Sequence, residues 1–147
     1  KYMNGLILMH TPAPPKTMQQ KTQIYKNVIE DIKNIFMRQL KKTDKEKIPQ
    51  NKIWFDPGIG FGKNLQQNLL ILKNIKEFKL KKCGLLVGTS RKSWIRGVDN
   101  SSIEKRLGGS IASVLYCLNQ GVDIFRVHDV FEIYQAIQVY RRIICLR

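Results

Sequence analysis

Residues able to do chemistry stand at the ends of short apolar runs: His10, Asp56, Ser90-Arg91-Lys92, and Arg126 with His128. Asp56 opens the segment DPGIGFGK. Its carboxylate could accept two parallel N–H bonds from the edge of a planar, guanidine-like ring, or it could cap its own Pro-Gly turn. The residues alone leave both readings open. Gly58, Gly60 and Gly62 permit close backbone approach, and Phe61 offers a flat apolar wall for an aromatic ligand. A GxxxxGK[ST] phosphate loop is excluded, because Pro57 replaces its first glycine and Asn64 its Ser/Thr.

Ser90-Arg91-Lys92 presents a hydroxyl and two cations where an apolar run passes into a helix, whose N-terminus favours anions. A bound carboxylate or phosphate is one reading and an exposed basic turn the other. Arg126 and His128 flank Val127, so they point the same way and could clamp a diphosphate, Arg bidentately and His through one ring nitrogen. His10 is either a ligand contact or a structural histidine. No Ser-His-Asp arrangement, HExxH or Cys/His metal spacing is visible.

These residues need a scaffold that brings strand ends together. Apolar runs at 5–10, 52–56, 85–88 and 123–127 each lead into a loop and then a stretch of helical period. The spacing of Ile24, Val28, Ile32, Phe36 and Leu40 predicts a helix over 20–40, and that of Leu65, Leu69, Leu72, Ile75 and Phe78 a second one. Ser101 and Glu104 read as a capping box before the third, and Gly121 as its stop. A fourth passes through Ile133, Ile137 and Tyr140. Apolar strands alternating with helices imply an α/β fold with a parallel sheet, either doubly wound or part of a (β/α)8 barrel. A full barrel needs about 250 residues, so four βα units in 147 residues amount to half of one. Both architectures place ligands at the C-terminal strand ends, where the polar residues fall.

Composition narrows the class. With 43% hydrophobic residues the chain can build a core, and no apolar run is long enough to cross a membrane. There is no secretory signal pattern. Cys83, Cys117 and Cys145 lack CxxC pairing and read as reduced thiols of a cytoplasmic protein. Lys and Arg number 26 against 11 Asp and Glu, a net charge of +15. The basic residues are scattered along polar helix faces, which argues against nucleic acid or membrane as partner.

The segments LMH with TPAPPKTMQ, DPGIGFGKN with Asn68 downstream, LLVGTSRKSWI, EKRLGGSIAS and FRVHDV resemble, in order and spacing, the C-terminal half of bacterial dihydropteroate synthases. The resemblance implies that residues 1–147 are the C-terminal half of a pterin-binding TIM (β/α)8 barrel, with the N-terminal half outside this chain; the start at Lys1 fits that expectation. It implies an alkyl (non-methyl) transferase of folate biosynthesis, a sulfonamide target. The enzyme condenses 6-hydroxymethyl-7,8-dihydropterin diphosphate with 4-aminobenzoate to 7,8-dihydropteroate and diphosphate. These residues alone are expected to be inactive.

Carried over by motif, Asp56 corresponds to the carboxylate that holds the pterin, with Lys92 and Met9 as pterin contacts. Phe61, Ser90 and Arg91 correspond to the aminobenzoate side, and Arg126 and His128 to the diphosphate clamp. Lys92, Arg126 and His128 are the expected catalytic residues. The family's Mg²⁺ is expected to draw its ligand from the other half, with none in this chain, and the full-length enzyme to be a homodimer. Ala13 and Pro14, in the loop after His10, depart from the family's usual residues. Two alternatives stand beside this reading: the pterin-binding domain of a folate-dependent methyltransferase, and a non-catalytic basic remnant that binds polyanions.

Overall fold

Four apolar segments form four strands in the computed structural model, which describes residues 4–12 and 25–146. β1 (Leu6–Met9), β2 (Ile53–Asp56), β3 (Gly84–Val87) and β4 (Ile124–Phe125) make one sheet in chain order, every neighbouring pair parallel. Leu6 pairs with Ile53 and Met9 with Asp56, so β1 and β2 end level. Helices α1 (Val28–Lys45), α2 (Leu65–Lys73), α3 (Ser93–Asp99), α4 (Leu107–Asn119) and α5 (Val130–Ile144) connect or follow them.

Period-two alternation decides which face is covered. Ile53, Phe55, Leu85 and Val87 face the helices and are fully buried against Ile32, Phe36 and Leu40 of α1 and Ile71 of α2. Phe36 stacks on Phe55 at 4.5 Å and meets Phe78 edge-on at 6.1 Å. Among the described residues no helix side chain of that core covers the other face at β1. Ile7 is 54% exposed there, and Trp54 lies across the neighbouring strands where Cβ atoms on Gly5 or Gly84 would sit 2.6 and 2.2 Å from its ring. Among the described residues this face is therefore incompletely covered at Ile7, although Leu86 on it is buried.

Several expectations are corrected. The first helix starts at Val28, capped by the Asn27 side chain, and runs on to Lys45; residues 13–24, which include Ala13, Pro14 and the anticipated helix start, lie outside the described residues. The second helix ends at Lys73, and Ile75–Phe78 continue as a 3₁₀ turn after Asn74. Ser101 and Glu104 form no capping box. A 3₁₀ turn, Ile103–Lys105, intervenes and α4 begins at Leu107 without a side-chain cap. Gly121 does follow the end of α4, at φ 82°, the left-handed conformation glycine adopts freely. β4 is shorter than its apolar run, so Arg126 and His128 lie beyond the strand.

Candidate active site

The strand ends converge. Asp56, the last residue of β2, is 1% exposed and uses its two oxygens differently. Oδ1 accepts the Gly58 amide at 2.8 Å, closing the Pro-Gly turn, while Oδ2 lies 3.3 Å from an Arg126 guanidinium nitrogen. The turn-capping reading therefore holds for Oδ1, while Oδ2 faces the Arg126 guanidinium. Burial raises the Asp56 pKa, opposed by the Gly58 amide and by the charges of Arg126, Lys92 and Lys63. The same Arg126 nitrogen stands 3.9 Å from Met9 Sδ, across the β1–β2 register.

The loop from Pro57 to Lys63 is shaped by its glycines. Gly58 sits at φ 70°, and a Cβ there would meet the His10 carbonyl oxygen at 1.9 Å, so glycine is required on both counts. The Gly60 amide donates to Asn68 Oδ1 at 2.7 Å. Lys92 Nζ donates to the Ile59 carbonyl and lies 4.2 Å over the Phe61 ring, a cation–π contact. Burial lowers the Lys92 pKa to about 8, opposed by Asp56 and reinforced by Arg126. Lys92 is thus charged at neutral pH and close to losing its proton, the condition that suits proton transfer.

Lys63 was not foreseen as a site residue. Its ammonium is buried, donating to the Gly58 and Phe61 carbonyls at 2.8 and 3.1 Å. Burial lowers its pKa to about 7, Asp56 opposing and Lys92 reinforcing. The only sequence cue was its place at the end of a glycine loop whose inward carbonyls need a donor. His10 is buried at the end of β1, held through its amide to the Asp56 carbonyl at 2.8 Å. Burial, aided by the Lys63 charge, lowers its pKa to about 4, so its ring is neutral at neutral pH.

On the other flank, buried Ser90 meets His128: Ser90 Oγ accepts the His128 amide at 3.2 Å and lies 3.1 Å from its Nδ1. Arg91, at φ 54°, turns its guanidinium onto Asp129, which sequence reading also missed. Among the described residues no group of three or more His, Cys, Asp or Glu is placed to hold a metal ion. All nine sequence-selected residues thus lie at the C-terminal strand ends, in two linked sets. Met9, Asp56, Phe61, Lys92 and Arg126 form one, and Ser90, Arg91 and His128 the other, with His10 beneath. An apolar groove of about 490 Å³ elsewhere, walled by Leu69, Trp94, Val98 and Tyr116, contains none of them.

Chemically, the first set offers a buried acceptor for ring N–H groups, a lysine donor and an aromatic wall; the second offers a hydroxyl and an imidazole. Arg126, in contact with Asp56 and Met9, is a largely exposed cation of the first set. Comparison with known proteins identifies the family. A model of the pterin binding enzyme family matches residues 1–128. The dihydropteroate synthase of Escherichia coli K12 is 40% identical over 132 residues, 90% of this chain and 46% of that protein. The chain spans about half the length of the curated relatives it matches. Among solved structures, the dihydropteroate synthase of Yersinia pestis in a sulfonamide drug complex superimposes with a TM-score of 0.89 at 34% identity, covering 97% of this chain and 51% of that one. The Xanthomonas albilineans enzyme with 4-aminobenzoic acid gives a TM-score of 0.88 at 25% identity, covering 97% and 50%.

Proposed function

Given that the chain belongs to the pterin binding enzyme family, we propose that it forms the later half of a dihydropteroate synthase barrel and carries part of its substrate contacts. The reaction joins 4-aminobenzoate to 6-hydroxymethyl-7,8-dihydropterin diphosphate. The observation that carries this reading is Asp56 Oδ2, a buried acceptor at a strand end whose partner is the half-exposed Arg126 guanidinium, with Lys92 nearby.

In the proposed complex Asp56 Oδ2 accepts from the amino-pyrimidine edge of the pterin, Lys92 donates to the ring, and Met9 packs against it. Arg126 turns from Asp56 toward the diphosphate, which His128 also holds. Phe61, Ser90 and the Arg91 turn border the aminobenzoate. The aryl amine attacks the pterin's exocyclic methylene, a C–N bond forms, the C–O bond to diphosphate breaks, and the amine loses a proton. A weak nucleophile and an anionic leaving group leave positioning and cationic stabilisation as the main catalytic work. Lys92, Arg126 and His128 are the residues placed for it. The Mg²⁺ that the family resemblance implies is expected to draw its ligand from the half outside this chain.

We place the enzyme in the cytoplasm and expect a homodimer. The free thiols and the absence, among the described residues, of a helix able to cross a membrane are in keeping with the first. Exposed Phe131, Tyr134, Val139 and Ile143 along α5 favour the second. The test is diphosphate release from the pterin diphosphate that depends on added 4-aminobenzoate, with the chain completed by the half its relatives carry. Release is expected only in the completed protein, the chain alone giving none. A completed protein that binds neither pterin nor aminobenzoate overturns the reading.

A further inference from the structure

Two adjacent residue pairs fasten the turn after β3 to the segment after β4. The first is Ser90 with His128. One residue further along both segments, Asp129 accepts from Arg91 with both oxygens, Oδ2 from Nε at 2.9 Å and Oδ1 from the terminal NH2 group. Asp129 occupies the N-cap of α5, where an aspartate ordinarily accepts first-turn amides, yet its side chain makes no cap bond. The carboxylate is turned to Arg91 instead and is only 10% exposed. Arg91 is held through its backbone as well. Its amide donates to Ser110 Oγ at 2.9 Å and its carbonyl accepts from buried Arg106 at 2.9 Å, fixing a left-handed φ of 54° in a residue with a side chain.

We infer that Asp129 is a positioning residue: through its ion pair with Arg91 it holds Ser90 against His128 and sets the turn that delivers Lys92 to Phe61. The guanidinium of Arg91 is committed to this latch and does not serve as a ligand for an anionic substrate. A bidentate pair is directional, so it fixes orientation as well as proximity. Ser90 and Lys92 flank Arg91 and serve opposite sides of the site, so a turn that relaxes at Arg91 displaces both. The latch deepens the synthase reading and rests on it only for the identity of the anion at His128.

The chain has two histidines, His10 and His128, so nitrogen-15 imidazole spectra report the site and the strand beneath it separately. In the ligand-free protein Asp129→Asn and Arg91→Met are each expected to displace the His128 ring signals and leave those of His10 in place. The double variant is expected to displace them no further than either single change, since both remove one interaction. Unmoved His128 signals, or additive displacements, overturn the latch. Should Asn unfold the chain, Asp129→Glu decides: signals close to wild type support the pair, and displaced ones overturn it.

Titration with inorganic diphosphate adds a test of sign. Asp129→Asn makes the site more positive, so an Arg91 that ligates anions would bind diphosphate more tightly after it. The latch instead requires weaker binding, by roughly tenfold, because His128 is misplaced. The ligand-free spectra decide the proposal even if wild type takes up no diphosphate, a result that counts against the synthase reading instead.

Discussion

Asp56 and Arg126 meet at 3.3 Å across the open end of the sheet, with the Asp56 side chain 2% exposed and that of Arg126 58%. The pair is asymmetric. The carboxylate is fixed by burial and by the Gly58 amide, whereas the guanidinium reaches it from solvent and can leave. That asymmetry suits the proposed complex, in which a ring edge would displace the guanidinium toward the leaving group.

In the completed synthase, Arg126→Ala is expected to lower turnover by roughly 10²-fold, the usual effect of removing one preorganised charge from a developing anion. Pterin affinity should change much less, because Asp56 and Lys92 remain. Steady-state diphosphate release against both substrates checks this. Turnover equal to wild type removes Arg126 from the clamp.

Lys63→Met leaves the buried Gly58 and Phe61 carbonyls without their donor and is expected to cost about 1–3 kcal/mol of stability. The pH dependence has a definite sign. A lysine whose pKa falls from 10.5 to about 7 on folding contributes stability that is full above 10.5 and lost as pH drops toward 7. The stability difference between wild type and Lys63→Met, from urea unfolding, should therefore widen from about pH 7 to about pH 10. A difference that is flat over that range means the ammonium keeps its ordinary pKa.

Two glycine substitutions should move stability in opposite directions. Gly58→Ala forces a side chain into φ 70° and a Cβ to 1.9 Å from the His10 carbonyl oxygen, so it should cost well over ~1 kcal/mol and disturb Asp56. Gly108→Ala meets nothing within 4 Å in α4 and should stabilise by about 0.5 kcal/mol. Thermal melts of the two variants suffice, and a benign Gly58→Ala would refute the close approach of the loop to β1.

The strand ends were legible because parallel strands are apolar throughout and the first polar residue after each stands out, as Asp56 does after Phe55. Lys63 was not. A lysine reads as surface unless the carbonyls it serves are known, and those depend on left-handed glycines whose positions become clear only in three dimensions. Asp129 was hidden for a related reason, because an aspartate before a helix reads as a cap and its partner Arg91 is 38 residues away. Ser101 misled in the opposite sense. Its spacing to Glu104 suited a cap, but Arg106 donates to the Ser101 carbonyl at 3.3 and 3.4 Å, and the segment folds as a short 3₁₀ turn.

Asp56→Asn separates stability from binding. Burial raises the carboxyl pKa above its value in the unfolded chain, so the charged form is disfavoured by folding. A group with a raised folded pKa contributes stability that is full below its unfolded pKa and lost as pH rises through the folded one. Above the unfolded pKa, charge on Asp56 is therefore a burden on the ligand-free fold. Asn keeps Oδ1 for the Gly58 amide and carries no charge, so the variant should melt higher than wild type at neutral pH, with the gain vanishing in acid. Pterin binding should move the other way. The amide nitrogen replaces the acceptor at Oδ2 and leaves a ring N–H unpaired in a buried pocket, a loss of about 1–3 kcal/mol of affinity. Melting curves across pH and a pterin titration of the completed protein measure the two effects separately. A variant that is less stable at neutral pH, or that binds pterin as wild type does, would show that Asp56 serves only its own turn.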